Sequence, residues 1–166
     1  MAKLIFVIGA TATGKTYFIE QNFKSKDFDV LNVYDYQQRE LNKAGFGEHI
    51  PFAVQYRCLM QANQMLLEDI IEKLSKGRNL VVEQTFFKAK RRISFIDEIR
   101  KKVDVTIEMY VMQPTDSRWK ANLKKRKLKG NLMIYKNDAN GFEFPNVAEG
   151  IDTIYEVVDG NIKLRM

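Results

Sequence analysis

The stretch Gly9-Ala10-Thr11-Ala12-Thr13-Gly14-Lys15-Thr16 constrains this chain more than any other. It has the form G-x-x-x-x-G-K-T, which makes a phosphate-binding loop when a strand precedes it and a helix follows. Lys3-Leu4-Ile5-Phe6-Val7-Ile8 is short, apolar and partly β-branched, and fits a buried parallel strand. From Lys15 to about Phe23, Phe18, Ile19 and Phe23 recur at near-helical spacing. Glycines in such a turn let the backbone curl until successive N–H groups point inward around an anion. The helix starting near Lys15 adds its positive dipole end. Residues 9–16 are thus expected to hold the phosphates of a nucleoside triphosphate, with Lys15 reaching the β- and γ-phosphates and the Thr16 hydroxyl ligating Mg²⁺.

At 166 residues the chain is long enough for one domain with a real core, and no linker or internal repeat divides it, so 1–166 reads as a single unit. The single cysteine, Cys58, leaves no partner for an internal disulfide and fits a reducing, cytoplasmic setting. Lys3 before an apolar run superficially suggests an export signal, but the run is short and leads straight into the glycine loop. No stretch is long and apolar enough to span a membrane as a helix. Lone His49 lies in a polar segment with no Cys or His at metal spacing. The formal net charge is +6, concentrated in Lys88-Ala89-Lys90-Arg91-Arg92 and in Lys120 to Lys129. Solvated helix faces account for most such runs, but both follow strand ends, where ligands of open α/β sheets bind.

Further strands bring acids toward the loop. Asp29 to Val33 reads as a second strand that delivers Tyr34-Asp35-Tyr36 to the same sheet edge. Asp35 there can orient an attacking hydroxyl and take its proton, or can serve as a helix cap. Residues 40–51, with Gly45, Gly47 and Pro51, read as a loop or broken helix. A long amphipathic helix is expected from Pro51 to Lys76, burying Leu59, Met60, Ala62, Met65, Leu66, Ile70, Ile71 and Leu74, with Gly77 as its stop. Asn79 to Thr85 is a third strand whose apolar run ends in Glu83, a Walker-B-like carboxylate placed to help hold Mg²⁺. Thr85 is a candidate contact to the acceptor or to the metal's water shell. A helix over Lys88 to Lys102 should turn Ile93, Ile96 and Ile99 inward, and Val103 to Met112 is a fourth strand.

Residues 115–129 predict a basic helix with Thr115 as its cap, and a lid over about 115–130. A cationic segment of this kind closes over a triphosphate and stabilises its developing charge, with Arg126 the first choice and Arg118 the second. Residues 131–150 read as loop-rich, with a turn at Asn140-Gly141. Ile151 to Val158 and a short Asn161 to Leu164 complete the strands. Strands alternating with helices predict a three-layer α/β/α P-loop NTPase fold around a mostly parallel five-stranded sheet. A GTPase would want an N-K-x-D element, and the sequence has none.

Three stretches together resemble the kinase domain of polynucleotide kinases and their zeta-toxin-like relatives. They are Gly9 to Thr16; Leu80-Val81-Val82-Glu83-Gln84-Thr85 with Lys90-Arg91-Arg92; and Phe142-Glu143-Phe144-Pro145-Asn146-Val147-Ala148-Glu149-Gly150-Ile151-Asp152. The resemblance covers nearly the whole chain, and the third stretch is its most specific part. It implies transfer of the γ-phosphate of ATP to the 5′-hydroxyl of a nucleic acid, with Asp35 as general base and Arg118 to Arg126 as lid. Arg39, Thr85, Arg91 and Arg92 are the residues it points to on the acceptor side. The chain departs from that pattern in having one acid at Tyr34-Asp35 where the family often has two, and an alternative register puts Tyr34 at the base position. Gln84-Thr85-Phe86 replaces the usual Asp-Thr-Asn. A kinase of a nucleotide, nucleotide sugar or other small metabolite uses the same machinery, and a nucleotide-binding protein without transfer activity is the reading from a different class.

Overall fold

The computed structural model describes residues 1–24, 27–126 and 139–166. Its elements are β1 (Ala2–Ile8), α1 (Lys15–Asn22), β2 (Phe28–Asn32), α2 (Val33–Ala44), α3 (Phe52–Ser75), β3 (Asn79–Gln84), α4 (Ala89–Arg100), β4 (Val105–Met112), α5 (Asp116–Lys125), a single 3-10 turn at Val147–Glu149, β5 (Thr153–Val158) and β6 (Asn161–Leu164). The strands form one sheet in the order β2-β3-β1-β4-β5-β6. The first five run parallel, and β6 returns antiparallel to β5 through the Asp159-Gly160 turn. The sheet therefore has six strands rather than five, the sixth being a hairpin edge.

β1 lies at the centre, paired on both sides, and Leu4 to Ile8 are almost wholly buried. A continuous apolar run is what a strand covered on both faces requires. One face packs Ile5, Val7 and Val81 against Phe18 and Ile19 of α1 and Phe23 just after it. The other packs Leu4, Phe6, Ile8, Leu80 and Val82 against Ala62, Leu66 and Ile70 of α3 and Ile96 and Ile99 of α4. α2 lies against α3, where the Tyr36 hydroxyl donates to Asp69.

Several expectations shift by a turn or less, with consequences for the site. Val33 opens a helix rather than closing a strand, and that helix continues to Ala44, so the stretch 40–51 begins as helix and breaks before α3. Asn32 is its cap: the side-chain oxygen accepts the Tyr34 N–H at 2.9 Å. Along α3 the buried stripe is Cys58, Ala62, Leu66, Ile70 and Leu74, and Met60 is exposed. In α4 the inward stripe is Arg92, Ile96 and Ile99, so Ile93 faces outward and an arginine occupies the core. Thr115 does not cap α5 with its side chain; its hydroxyl and N–H both donate to Asp159. Lys127, Lys129, Gly130 and residues 131–138 lie outside the described residues.

Candidate active site

The loop after β1 closes through its own polar groups. Gly9 has a φ of 151° and Gly14 a φ of 90°. A Cβ on Gly9 would sit 2.9 Å from Thr13 Oγ1 and 3.0 Å from the Met112 carbonyl, so the position tolerates nothing larger than hydrogen. Thr13 Oγ1 donates to the Ala10 carbonyl at 2.8 Å. Lys15 folds over the loop and donates to the carbonyls of Gly9 at 3.0 Å and Ala10 at 2.8 Å. Burial lowers its pKa to about 8; the Glu83 carboxylate acts against that shift, and the nearby Arg126 charge adds to it. A buried ammonium whose fixed partners here are two carbonyls is poised for a polyanion.

Glu83, the next-to-last residue of β3, lies near Lys15 and is itself buried. The Thr16 hydroxyl donates to its two oxygens at 2.8 and 3.1 Å, and Asn32 Nδ2 donates to Oε2 at 3.0 Å. Asn32 is the residue that reading the sequence missed. It caps α2 with one side-chain atom and orients Glu83 with the other. Its only local signal was a cap-type residue directly after an apolar run. The Thr16–Glu83 pair presents a hydroxyl and a carboxylate to one point. That donor set fits Mg²⁺, which takes oxygen ligands from one or two side chains and completes its shell with water and phosphate. No cluster of three or more His, Cys, Asp or Glu suited to a metal occurs among the described residues.

Two grooves flank this centre. The first, of about 570 Å³, runs from Thr13 and Gly14 along Tyr17 and Gln21 to the Asp159-Gly160 turn and is bordered by Arg118 and Arg126. Both arginines are exposed. α5 is fixed to the phosphate loop at its root: Trp119 Nε1 donates to the Thr11 carbonyl and Asn122 Nδ2 to the Ala12 carbonyl, each at 3.0 Å. This docking carries Arg126 close enough for its charge to be felt at Lys15.

The second groove, of about 420 Å³, begins one residue beyond Glu83. Gln84, Thr85, Phe87 and Arg91 line it on one side, and Tyr34, Met60 and Asn63 on the other. Gln84 Nε2 donates to Asn63 Oδ1 at 2.8 Å, and its own Oε1 accepts the Thr85 N–H. Thr85 and Arg91 are thus brought to one groove. Three other candidates are not. Asp35 stands exposed in the first turn of α2 and is not among the lining residues, because the helix starts at Val33 and turns Tyr34 toward the groove instead. Arg39 lies over the Tyr36 ring at 5.0 Å, a turn further along α2. Arg92 has no exposed surface, and its guanidinium is bound to Glu149 and to the Phe86 carbonyl, so it has no face for a substrate.

A phosphate loop after the central strand, a facing lysine and a Walker-B-type carboxylate in a sheet of this order define a P-loop nucleotide-binding fold. Residues 4–140 match the model of the AAA domain family, and the chain belongs to that family. No curated protein matches the sequence. Among solved structures it is similar to a candidate kinase from Chloroflexus aurantiacus j-10-fl, at 14% identity over 96% of this chain and 86% of that one, with a TM-score of 0.73. A structure of the PezAT toxin–antitoxin system of Streptococcus pneumoniae aligns at 13% identity over 98% and 69%, with a TM-score of 0.65. A gluconokinase from Sinorhizobium meliloti 1021 aligns at 15% identity over 96% and 83%, with a TM-score of 0.58. At such identities the likeness is one of fold. Among the described residues no helix is long and apolar enough to cross a membrane.

Proposed function

We propose that the protein transfers the γ-phosphate of ATP to a hydroxyl held in the groove that begins at Gln84. The observation carrying this is adjacency: Glu83 belongs to the phosphate centre and the next two residues, Gln84 and Thr85, already line the second groove. In this reading Lys15 and the loop amides hold the phosphates, Thr16 and Glu83 hold Mg²⁺, and Arg126 stabilises charge spreading over the transferred group. Bound Mg²⁺ would neutralise charge on the phosphates. The acceptor hydroxyl enters past Tyr34. A loose transition state asks for positioning more than for a strong base, which suits a groove where the carboxylate of Asp35 is not a wall.

The acceptor best supported is the 5′ end of a nucleic-acid strand. Arg91 and Lys88 stand at the groove, and Phe52, Tyr56 and Met60 follow on α3 at one-turn spacing, 81%, 56% and 42% exposed. Exposed aromatic rings beside cations form a stacking surface for bases. The amide and hydroxyl lining at Asn63, Gln64, Gln84, Thr85 and Ser94 favours a second reading, a small polyol or nucleoside. Incubation with γ-labelled ATP and a panel of 5′-hydroxyl oligonucleotides, nucleosides and sugars separates them. A strand acceptor predicts binding that weakens steeply with salt, because phosphate contacts release counterions. Labelling of a small polyol with salt-insensitive KM, and none of oligonucleotides, refutes the nucleic-acid reading.

A further inference from the structure

We propose that the 142–150 segment is a buttress that sets the shape of the acceptor groove, and that Arg92 and Glu149 are positioning residues for the acceptor. The functional half of this rests on the kinase reading; the geometry does not.

The groove wall at 85–88 has no regular hydrogen bonding of its own. Within it Phe86 adopts a φ of 47°, a left-handed conformation that is costly for a bulky residue. Such a conformation persists only where its surroundings over-determine it. Here they do so from behind the wall. Arg92 Nη1 donates to the Phe86 carbonyl at 2.7 Å, and the Phe86 ring meets Phe6 and Phe95 edge-on at 5.3 and 5.2 Å. Arg92 then places its two remaining bonds on Glu149, at 2.7 and 3.0 Å, in a pair with no exposed surface on the arginine.

The other end of the segment grips the wall as well. The Glu143 N–H donates to the Phe87 carbonyl at 2.8 Å, and its carboxylate accepts the Ala89 N–H at 2.8 Å, standing in for the cap that Lys88 does not supply to α4. Glu149 is fixed in turn by a capping box with Asn146. Gly150, at a φ of 88°, lets this turn approach α4 closely: a Cβ there would lie 3.1 Å from Ile96 Cγ2. No residue of 142–150 lines the acceptor groove. The segment acts through Phe86 and Phe87, and a misplaced wall weakens acceptor positioning while the phosphate loop, on β1, stays as it is.

The test uses Glu149→Gln, Arg92→Lys and the surface variant Glu143→Ala, which leaves the buried pair intact and keeps the proposal testable if the first two do not fold. In Glu149→Gln and Arg92→Lys, KM for a 5′-hydroxyl oligonucleotide should rise on the order of tenfold while KM for ATP changes by less than about twofold. Amide exchange at Ala89 and Glu143 should accelerate on the order of tenfold, with Phe18 and Ile19 unchanged. Glu143→Ala should move the acceptor KM and the amide of residue 143 in the same direction, less far. Equal rises in both KM values, or exchange that is unchanged at 143 or raised throughout, overturns the proposal. If the wild type labels no oligonucleotide, the nucleic-acid reading fails alone and the exchange pattern still decides the buttress.

Discussion

The Lys15 ammonium should make ATP binding depend on pH in a range where most lysines do not titrate. In the free protein burial holds its pKa at about 8. From that value it is roughly nine-tenths protonated at pH 7 and roughly one-tenth at pH 9. A bound triphosphate places negative charge against it and raises the pKa, so the bound form stays protonated across the range. Binding at pH 9 must therefore draw a proton from solvent. The apparent Kd should weaken about tenfold between pH 7 and pH 9, about 1.4 kcal/mol. Calorimetric titration with ATP and excess Mg²⁺ in two buffers of different ionisation enthalpy gives both quantities, with uptake of about half a proton per ATP at pH 8. A flat Kd from pH 7 to 9 with no proton uptake would refute the reasoning. The same group acts on stability with the opposite sense to a salt-bridged lysine. Its folded pKa lies below the unfolded value of 10.5, so between about pH 8 and 10.5 the unfolded chain binds a proton that the folded chain lacks. Stability from this group rises with pH through that window and is lowest below it. Lys15→Met should abolish ATP binding yet leave the protein at least as stable at pH 7, since it removes a buried charge along with two hydrogen bonds.

Arg126→Ala should weaken ATP binding and move the midpoint of its pH dependence above 8, because the arginine's charge adds to the lowering at Lys15; an unmoved midpoint measured by the same titration removes Arg126 from the phosphate centre. Asp35→Asn should cost less than about tenfold in kcat, since the residue is not a groove wall, whereas a general base would cost roughly 10²–10⁴-fold; single-turnover transfer decides between them. Gly9→Ala drives a Cβ into Thr13 Oγ1 and a backbone carbonyl, so it should destabilise by about 1–3 kcal/mol. Thermal unfolding should show that as a drop of roughly 2–4 °C per kcal/mol, with ATP affinity lost as well.

What could be read from the sequence was what is local. β1, the glycine loop and α1 are contiguous, and each residue's job there follows from its neighbours within a turn. The same holds for α3, whose period of apolar residues runs from Cys58 to Leu74, and for Glu83 near the end of an apolar strand. Single-residue phase was not legible. Capping by Asn32 begins α2 at Val33, and that choice turns Tyr34 rather than Asp35 to the groove. The spacing of Arg92, Ile96 and Ile99 is that of a buried face, and only the charge of Arg92 argued against including it.

Legible in the chain alone was the phosphate-loop centre: a glycine loop on a central parallel strand, its lysine and threonine, and a carboxylate one strand away. Those groups need only backbone geometry and short spacings to be recognised. The tertiary structure set the long-range partners. Arg92 is buried because Glu149, 57 residues later, meets two of its three guanidinium nitrogens, and Trp119 and Asn122 dock α5 on the loop over separations of 108 and 110 residues. A charge or an amide of this kind has no local preference that announces its partner. Its position is fixed by whichever distant group satisfies it once the chain has closed.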